Sequence, residues 1–188
     1  MKKNESGFGA DDQIKLSLLE NSKFFLTSDI SEESINECIK WITFENDQEG
    51  PNKILTIYIN SYGGEIYQAF ALIDAMRLSR HNFKTIATGS AMSAAFLILA
   101  AGTSGMRYAT QNTGLMTHQF SSESDSLKYH DIKSTMKELD WINQRMYNIL
   151  KEATKLDGRT VKRKLLPESD MYYKAEDLIK LGVIDYVI

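Results

Sequence analysis

The sequence predicts a layered α/β fold, with parallel strands joined by helical crossovers and one long helix extending from them. Three observations carry this. Apolar, β-branched runs such as "KILTIYIN" and "FKTIATG" alternate with segments of helical period. The order strand–helix–strand implies right-handed crossovers back to one sheet. A single helical pattern then runs from about Ser124 to Leu156.

"KFFLT", Lys23 to Thr27, reads as a short strand, and Ser28 or Ser31 can cap the helix after it. That helix places Ile35, Cys38, Ile39 and Ile42 on one face, so Cys38 is expected in the core. The strand Lys53 to Asn60 ends in "SYGG". Ile66, Ala69, Phe70, Ile73 and Met76 then mark the buried face of a helix. "FKTIATG" is the next strand, and a helix opening near Ser93 follows it. Further strands are expected at Met106 to Ala109 and Gly114 to His118. The long helix carries Ile132, Met136, Leu139, Ile142, Met146, Ile149, Ala153 and Leu156 as a stripe. About 33 residues at ~1.5 Å each make a rod of roughly 50 Å, longer than a small domain is wide. Part of it should project, and its apolar stripe calls for a partner.

The composition bounds what this fold can do. The 188 residues suit one domain, and 43% hydrophobic with 25% charged residues is ordinary for a globular protein. A net charge of −3 gives no general attraction to nucleic acid or anionic membrane. One cysteine excludes an internal disulfide and any multi-cysteine metal site, so no metal and no cofactor is expected. The start, "MKKNESGFGADD", lacks the apolar core of a signal peptide, and the apolar run Ala94 to Ala101 is too short to span a bilayer. The expectation is a soluble cytoplasmic protein, with residues 1–22 a flexible segment and residues 23–188 the folded domain.

The chemistry centres on "GSAMSAAFLILAAG". Ser93 stands where the apolar run begins, either as a helix cap or as a nucleophile. "AMSAA" resembles the Gly-x-Ser-x-Gly nucleophile elbow with Ala in both glycine positions. Taken alone, a serine opening a helix is more often a cap. A general base must be one of His81, His118 and His130. His118 ends a strand, where an imidazole can stand at the sheet rim. An orienting acid is not fixed by spacing: Asp140, Asp157, Asp170, Asp177 and Asp185 all remain open. The amide of Gly64, beside Gly63 in the tight "GG" turn, and that of Ala94 could converge on one oxyanion.

Together these stretches resemble the Clp-type serine protease family, whose proteolytic subunit is usually called ClpP. "IYINSYGGEIYQAFALIDAM" is similar to the family's Y-I-N-S-P-G-G stretch and the helix after it. "ATGSAMSAAFLILAAG" is similar to its nucleophile segment, with Ser93 at the serine position. "GLMTHQF" resembles M-I-H-Q-P, which puts the base at His118. "ESDMYYKAEDLIKLGVIDYVI" resembles the family ending and puts the triad acid at Asp170. Four motifs in order cover about Lys23 to Ile188.

The resemblance implies a ClpP/crotonase-like core with a handle helix over about 124–156, and an axial loop within residues 1–22. It implies heptameric rings stacked through the handles around a chamber. An AAA+ unfoldase of the ClpX or ClpA type would feed unfolded polypeptide into that chamber. The substrate groove would involve Gly63, Glu65, Ile66, Gln119 and Phe120. No phosphate-binding Gly–Lys loop is present, so ATP would be the partner's. The chain departs from the family at Tyr62, which replaces the proline before "GG", and in "FSSESDS", which replaces Pro and a Gly-rich strand. Ser169 stands where an arginine is frequent, and Thr56 where many relatives carry a docking aromatic. Two other readings share the fold: an acyl-CoA hydratase or isomerase of the crotonase kind, and an inactive ring subunit. A viral capsid-processing protease on the same fold is a specialised variant of the first reading.

Overall fold

The computed structural model describes residues 9–120 and 129–188. Helix α1 (Ala10–Glu20) leads into β1 (Lys23–Leu26), and α2 (Glu32–Asp47) precedes β2 (Ile54–Ser61). Next come α3 (Ile66–Leu78), β3 (Asn82–Met92) and α4 (Ala94–Ala100). Two short strands, β4 (Arg107–Ala109) and β5 (Gly114–Thr117), lead to α5 (Tyr129–Thr154). The chain closes with α6 (Gly158–Thr160), which continues as a π-helical turn (Val161–Leu165), then β6 (Met171–Tyr173), α7 (Ala175–Lys180) and β7 (Tyr186–Val187).

The strands form one sheet in the order β1-β2-β3-β4-β7, parallel throughout. β3 is long enough to have two successive neighbours on one side. Thr85–Ala87 pair with β4 and Ser90–Met92 pair with β5. β5 in turn pairs antiparallel with β6. The sheet therefore forks at the end of β3, and such a change of neighbour is where ligands bind in open α/β sheets.

Local sequence explains the helices. Ser31 caps α2 by accepting from the Ser34 amide, which leaves Ser28 outside the cap, and Ile35, Cys38, Trp41 and Ile42 are buried on one face. Burial also pushes the Cys38 thiol far up, so it is an inert core residue. All seven residues of α4 are buried, as expected of a helix apolar on every side. Each large side chain buried there contributes about 1.5–3 kcal/mol relative to exposure. In α5, Ile142, Met146, Ile149 and Leu150 enter the core, while Ile132, Met136 and Trp141 remain exposed. The N-terminal half of α5 thus projects from the core that anchors its C-terminal half. Its 26 residues span about 39 Å. The expected start of the handle at 124 and the divergent "FSSESDS" stretch fall largely outside the described residues, as do residues 1–8 of the expected flexible segment. Within that segment, residues 10–20 are helical, but none of them is buried.

On the sheet face opposite the buried side chains of β2, pairing register aligns Phe25, Tyr58, Ile86, Tyr108 and Tyr186 across five strands. Phe25 stacks on Tyr58 with ring centroids 4.6 Å apart, and Tyr108 on Tyr186 at 5.1 Å. Arg107 locks the far edge. It is buried, forms an ion pair with Asp185 at 2.7 Å, and donates to the carbonyls of Ala100 and Ala153.

Candidate active site

Three strand ends meet at the fork. Ser93 follows β3 with φ 53° and ψ −122°, a left-handed conformation rarely adopted by a residue with a side chain. Its hydroxyl makes no helix-capping hydrogen bond. Instead Ser93 Oγ lies 2.8 Å from His118 Nε2. With the ring proton on Nδ1, the hydroxyl donates to Nε2. The spacing is held by backbone as well, because the Ser93 amide donates to the Met116 carbonyl at 3.0 Å, two residues before His118.

The His118 segment is tied down on both sides. Thr117 Oγ1 donates to the Leu165 carbonyl at 2.7 Å, and Gln119 Nε2 to that of Leu166 at 3.2 Å. The Phe120 amide donates to Asn143 Oδ1 of α5 at 3.2 Å. Sequence reasoning missed Asn143 and Thr117 in this role. Their only signal is being polar in an otherwise apolar stripe and strand.

The "GG" turn lies against the serine. Gly63 has φ 108°, and a Cβ there would stand 2.8 Å from both Ser93 Cβ and the Met92 carbonyl oxygen, and 3.2 Å from the Ala94 amide nitrogen. Gly64, at φ 143°, packs so closely on Ile30 that a Cβ would strike that residue's backbone. Ala94 opens α4, so its amide is among those with no acceptor inside the helix. Both residues chosen as oxyanion donors, Gly64 and Ala94, therefore sit on turns packed around Ser93.

The remaining expected site residues divide. Glu65 and Gln119 are exposed, whereas Ile66 is only 7% exposed and belongs to the core cluster, which Phe120 also packs against. His81 is buried. Its Nδ1 accepts from the Lys53 amide and its Nε2 contacts the Glu45 carbonyl, so it is a structural residue. His130 is on the projecting half of α5.

Among the candidate acids, Asp157 caps the α6 turn, Asp177 pairs with Lys180, and Asp185 pairs with Arg107. Those partners hold all three carboxyls below their ordinary range. For Asp157 the Thr160 hydroxyl does most of this, and for Asp177 it is Lys180. At Asp185 burial pushes upward, but the hydrogen bonds from Arg107 outweigh it. Asp170 is exposed. The β5–β6 ladder ends at Thr117 opposite Met171, so His118 follows and Asp170 precedes its last pair by one residue. No hydrogen bond joins that carboxylate to the imidazole among the described residues. Asp140, on α5, lines the cleft that begins at Gln119.

The fork, the strained serine and the histidine hydrogen-bonded to it make this an α/β protein with a serine–histidine pair at a strand-to-helix turn. A family model described as Clp protease matches residues 7–188, and the chain belongs to that family. It is 30% identical over 187 residues to "ATP-dependent Clp protease proteolytic subunit 2" of Frankia casuarinae, covering 100% of this chain and 83% of that protein. It is 32% identical over 171 residues to "ATP-dependent Clp protease proteolytic subunit 3" of the same organism, covering 91% and 78%. The acyl-CoA reading gains nothing from these relatives. Among the described residues no helix is long and apolar enough to cross a membrane.

Proposed function

We propose that this chain is the proteolytic subunit of a self-compartmentalised serine endopeptidase that cleaves unfolded polypeptide. The observation that carries the reading is the 2.8 Å contact between Ser93 Oγ and His118 Nε2 on a strained turn. Ser93 Oγ attacks the scissile carbonyl as its proton passes to His118 Nε2. The Gly64 and Ala94 amides receive the tetrahedral oxyanion, each donor contributing about 3–4 kcal/mol. Collapse breaks the C–N bond, and the leaving amine takes the proton from Nε2. Water then adds to the acyl-enzyme, giving a proton to Nε2, which returns it to Ser93 Oγ as the acid product leaves.

Asp170 is the orienting acid in this mechanism. The family motif selects it, and its place one residue before the last β5–β6 pair, with His118 one residue after it, supports that choice. Its carboxylate must swing toward Nδ1 for turnover. Asp170→Asn should then cut kcat by about 10⁴-fold, and Asp140→Asn should leave it nearly intact. The reverse result would transfer the role to Asp140.

Partners follow from the family. Stacked heptameric rings would bury the exposed Ile132, Met136 and Trp141 of the handle, and an AAA+ unfoldase would dock on the aromatic row through Phe25 and Tyr58. The cytoplasm is the compartment we assign. Incubation of the assembled protein with a fluorophosphonate should label Ser93 covalently and leave Ser93→Ala unlabelled. An assembled wild-type protein that stays unlabelled and cleaves no peptide would overturn the proposal. That result would favour an inactive ring subunit, a reading supported by the missing Asp170–His118 hydrogen bond.

A further inference from the structure

A cleft of about 930 Å³ begins at Gln119, the residue after the proposed base, and runs between α5 and the segment Gly158–Leu165. Its size is that of a ligand site, roughly 300–1,000 Å³. Arg159, Lys162 and Arg163 line it. These cations are spaced i, i+3 and i, i+4 along continuous helical turns, so they crowd one face, where like charges cost helix stability. No acid occurs between Gly158 and Pro167, and the nearest in sequence, Asp157, acts on Arg163 while its oxygens are engaged by the Arg159 and Thr160 amides and the Thr160 hydroxyl. None of the three forms an ion pair among the described residues, although Asp140 and Glu168 also line the cleft.

The wall is built to hold this arrangement. Asp157 accepts from the amides of Arg159 and Thr160 and from the Thr160 hydroxyl, fixing the first turn. Tyr147 lies so close to Gly158 that any Cβ there would strike its hydroxyl. Lys162 stands over the same ring, 5.6 Å from its centroid. Three cations on a fixed wall outnumber the two carboxylates that share the cleft, and this net positive charge beside the proposed base fits an anionic ligand arriving with the substrate.

We propose that this cleft is an accessory subsite for acidic side chains of the polypeptide being cleaved, so that the enzyme prefers substrates with Asp or Glu a few residues from the scissile bond. The inference rests on the peptidase reading, and its test separates the two. Two fluorogenic peptides of one core sequence, flanked by Asp-Glu or by Asn-Gln, are compared with the assembled protein. The acidic peptide should show a kcat/KM about tenfold higher, mainly through KM, and the advantage should shrink as salt rises. Arg159→Glu with Arg163→Glu should bring the ratio of the two peptides to one or below, and the gentler Arg159→Gln with Arg163→Gln should bring it part of the way.

Binding is read separately, by anisotropy of the labelled acidic peptide on Ser93→Ala protein, where no turnover is needed. Equal kcat/KM for the two peptides, or equal anisotropy with and without the double substitution, overturns the subsite while leaving the peptidase reading standing. Binding of a single-stranded oligonucleotide of the same charge in place of the peptide also overturns it. Acidic-peptide binding that needs Arg159 and Arg163 in a protein that cleaves neither peptide upholds the subsite and defeats the peptidase reading.

Discussion

Replacing Gly63 by Ala tests whether the "GG" turn sets the reactivity of the serine. Two costs can be worked out. At φ 108° a side chain adds about 1–3 kcal/mol of backbone strain. The new Cβ would also stand 2.8 Å from Ser93 Cβ and the Met92 carbonyl oxygen, well inside ordinary contact, so the turn or the serine must shift. At roughly 2–4 °C per kcal/mol for a chain of this length, the backbone cost alone should lower Tm by about 2–12 °C, and the collision adds to it. A shift approaching 1 Å at the nucleophile and the Ala94 donor should slow labelling of Ser93 by about 10²-fold or more.

Gly50→Ala supplies the control. Gly50 has φ 123°, and a methyl added there would meet nothing within 4 Å, so it bears the backbone cost without the collision. It should lose some Tm and label normally. The measurements are fluorophosphonate labelling rate by intact mass and Tm by scanning fluorimetry. If Gly63→Ala labels within about threefold of wild type, with a Tm loss no larger than that of Gly50→Ala, the turn does not govern the nucleophile.

Other outcomes follow from the same geometry. Ser93→Gly should melt about 2–6 °C above Ser93→Ala in thermal scans, because glycine alone releases the left-handed strain at this position. Asp185→Asn removes the charge of a half-buried carboxylate that pairs with the buried Arg107 and should cost about 1.5–3 kcal/mol at neutral pH by urea titration. The wild-type carboxyl is held below its ordinary value, so its stabilisation is complete above about pH 4 and disappears as pH falls through the lowered value. The acid limb of wild-type stability should accordingly be steeper than that of the variant. Met136→Glu, at a position 62% exposed, should shift monomer stability by less than about 0.5 kcal/mol yet abolish high-mass assemblies in native mass spectrometry.

Legibility in the sequence tracked burial. β2, β3, α2, α3 and α4 show strong apolar periodicity because they bury most of their length. The structure places β2 and α3 within two residues of expectation, whereas β3 runs three residues past "FKTIATG" to Met92, the stretch that pairs with β5. α1 was invisible because none of its residues is buried. β6 and β7, three and two residues long, carry too little pattern to read, and the π-helical turn has no distinguishing composition. Ser93 and His118 were legible as motif residues, but only coordinates bring groups 25 positions apart to 2.8 Å. Ile66 shows the limit of transferring a groove by motif: the same side chain can serve the core.

The Ser93-to-Met116 backbone hydrogen bond makes nucleophile and base parts of one ladder rather than guests on separate loops. A single chain thus holds Ser93 Oγ and His118 Nε2 2.8 Å apart by its own backbone pairing. In the proposed peptidase, any safeguard against stray digestion acts elsewhere, on the swing of the exposed Asp170 carboxylate or on access to the site, where a small shift arms or silences the centre without disturbing the sheet.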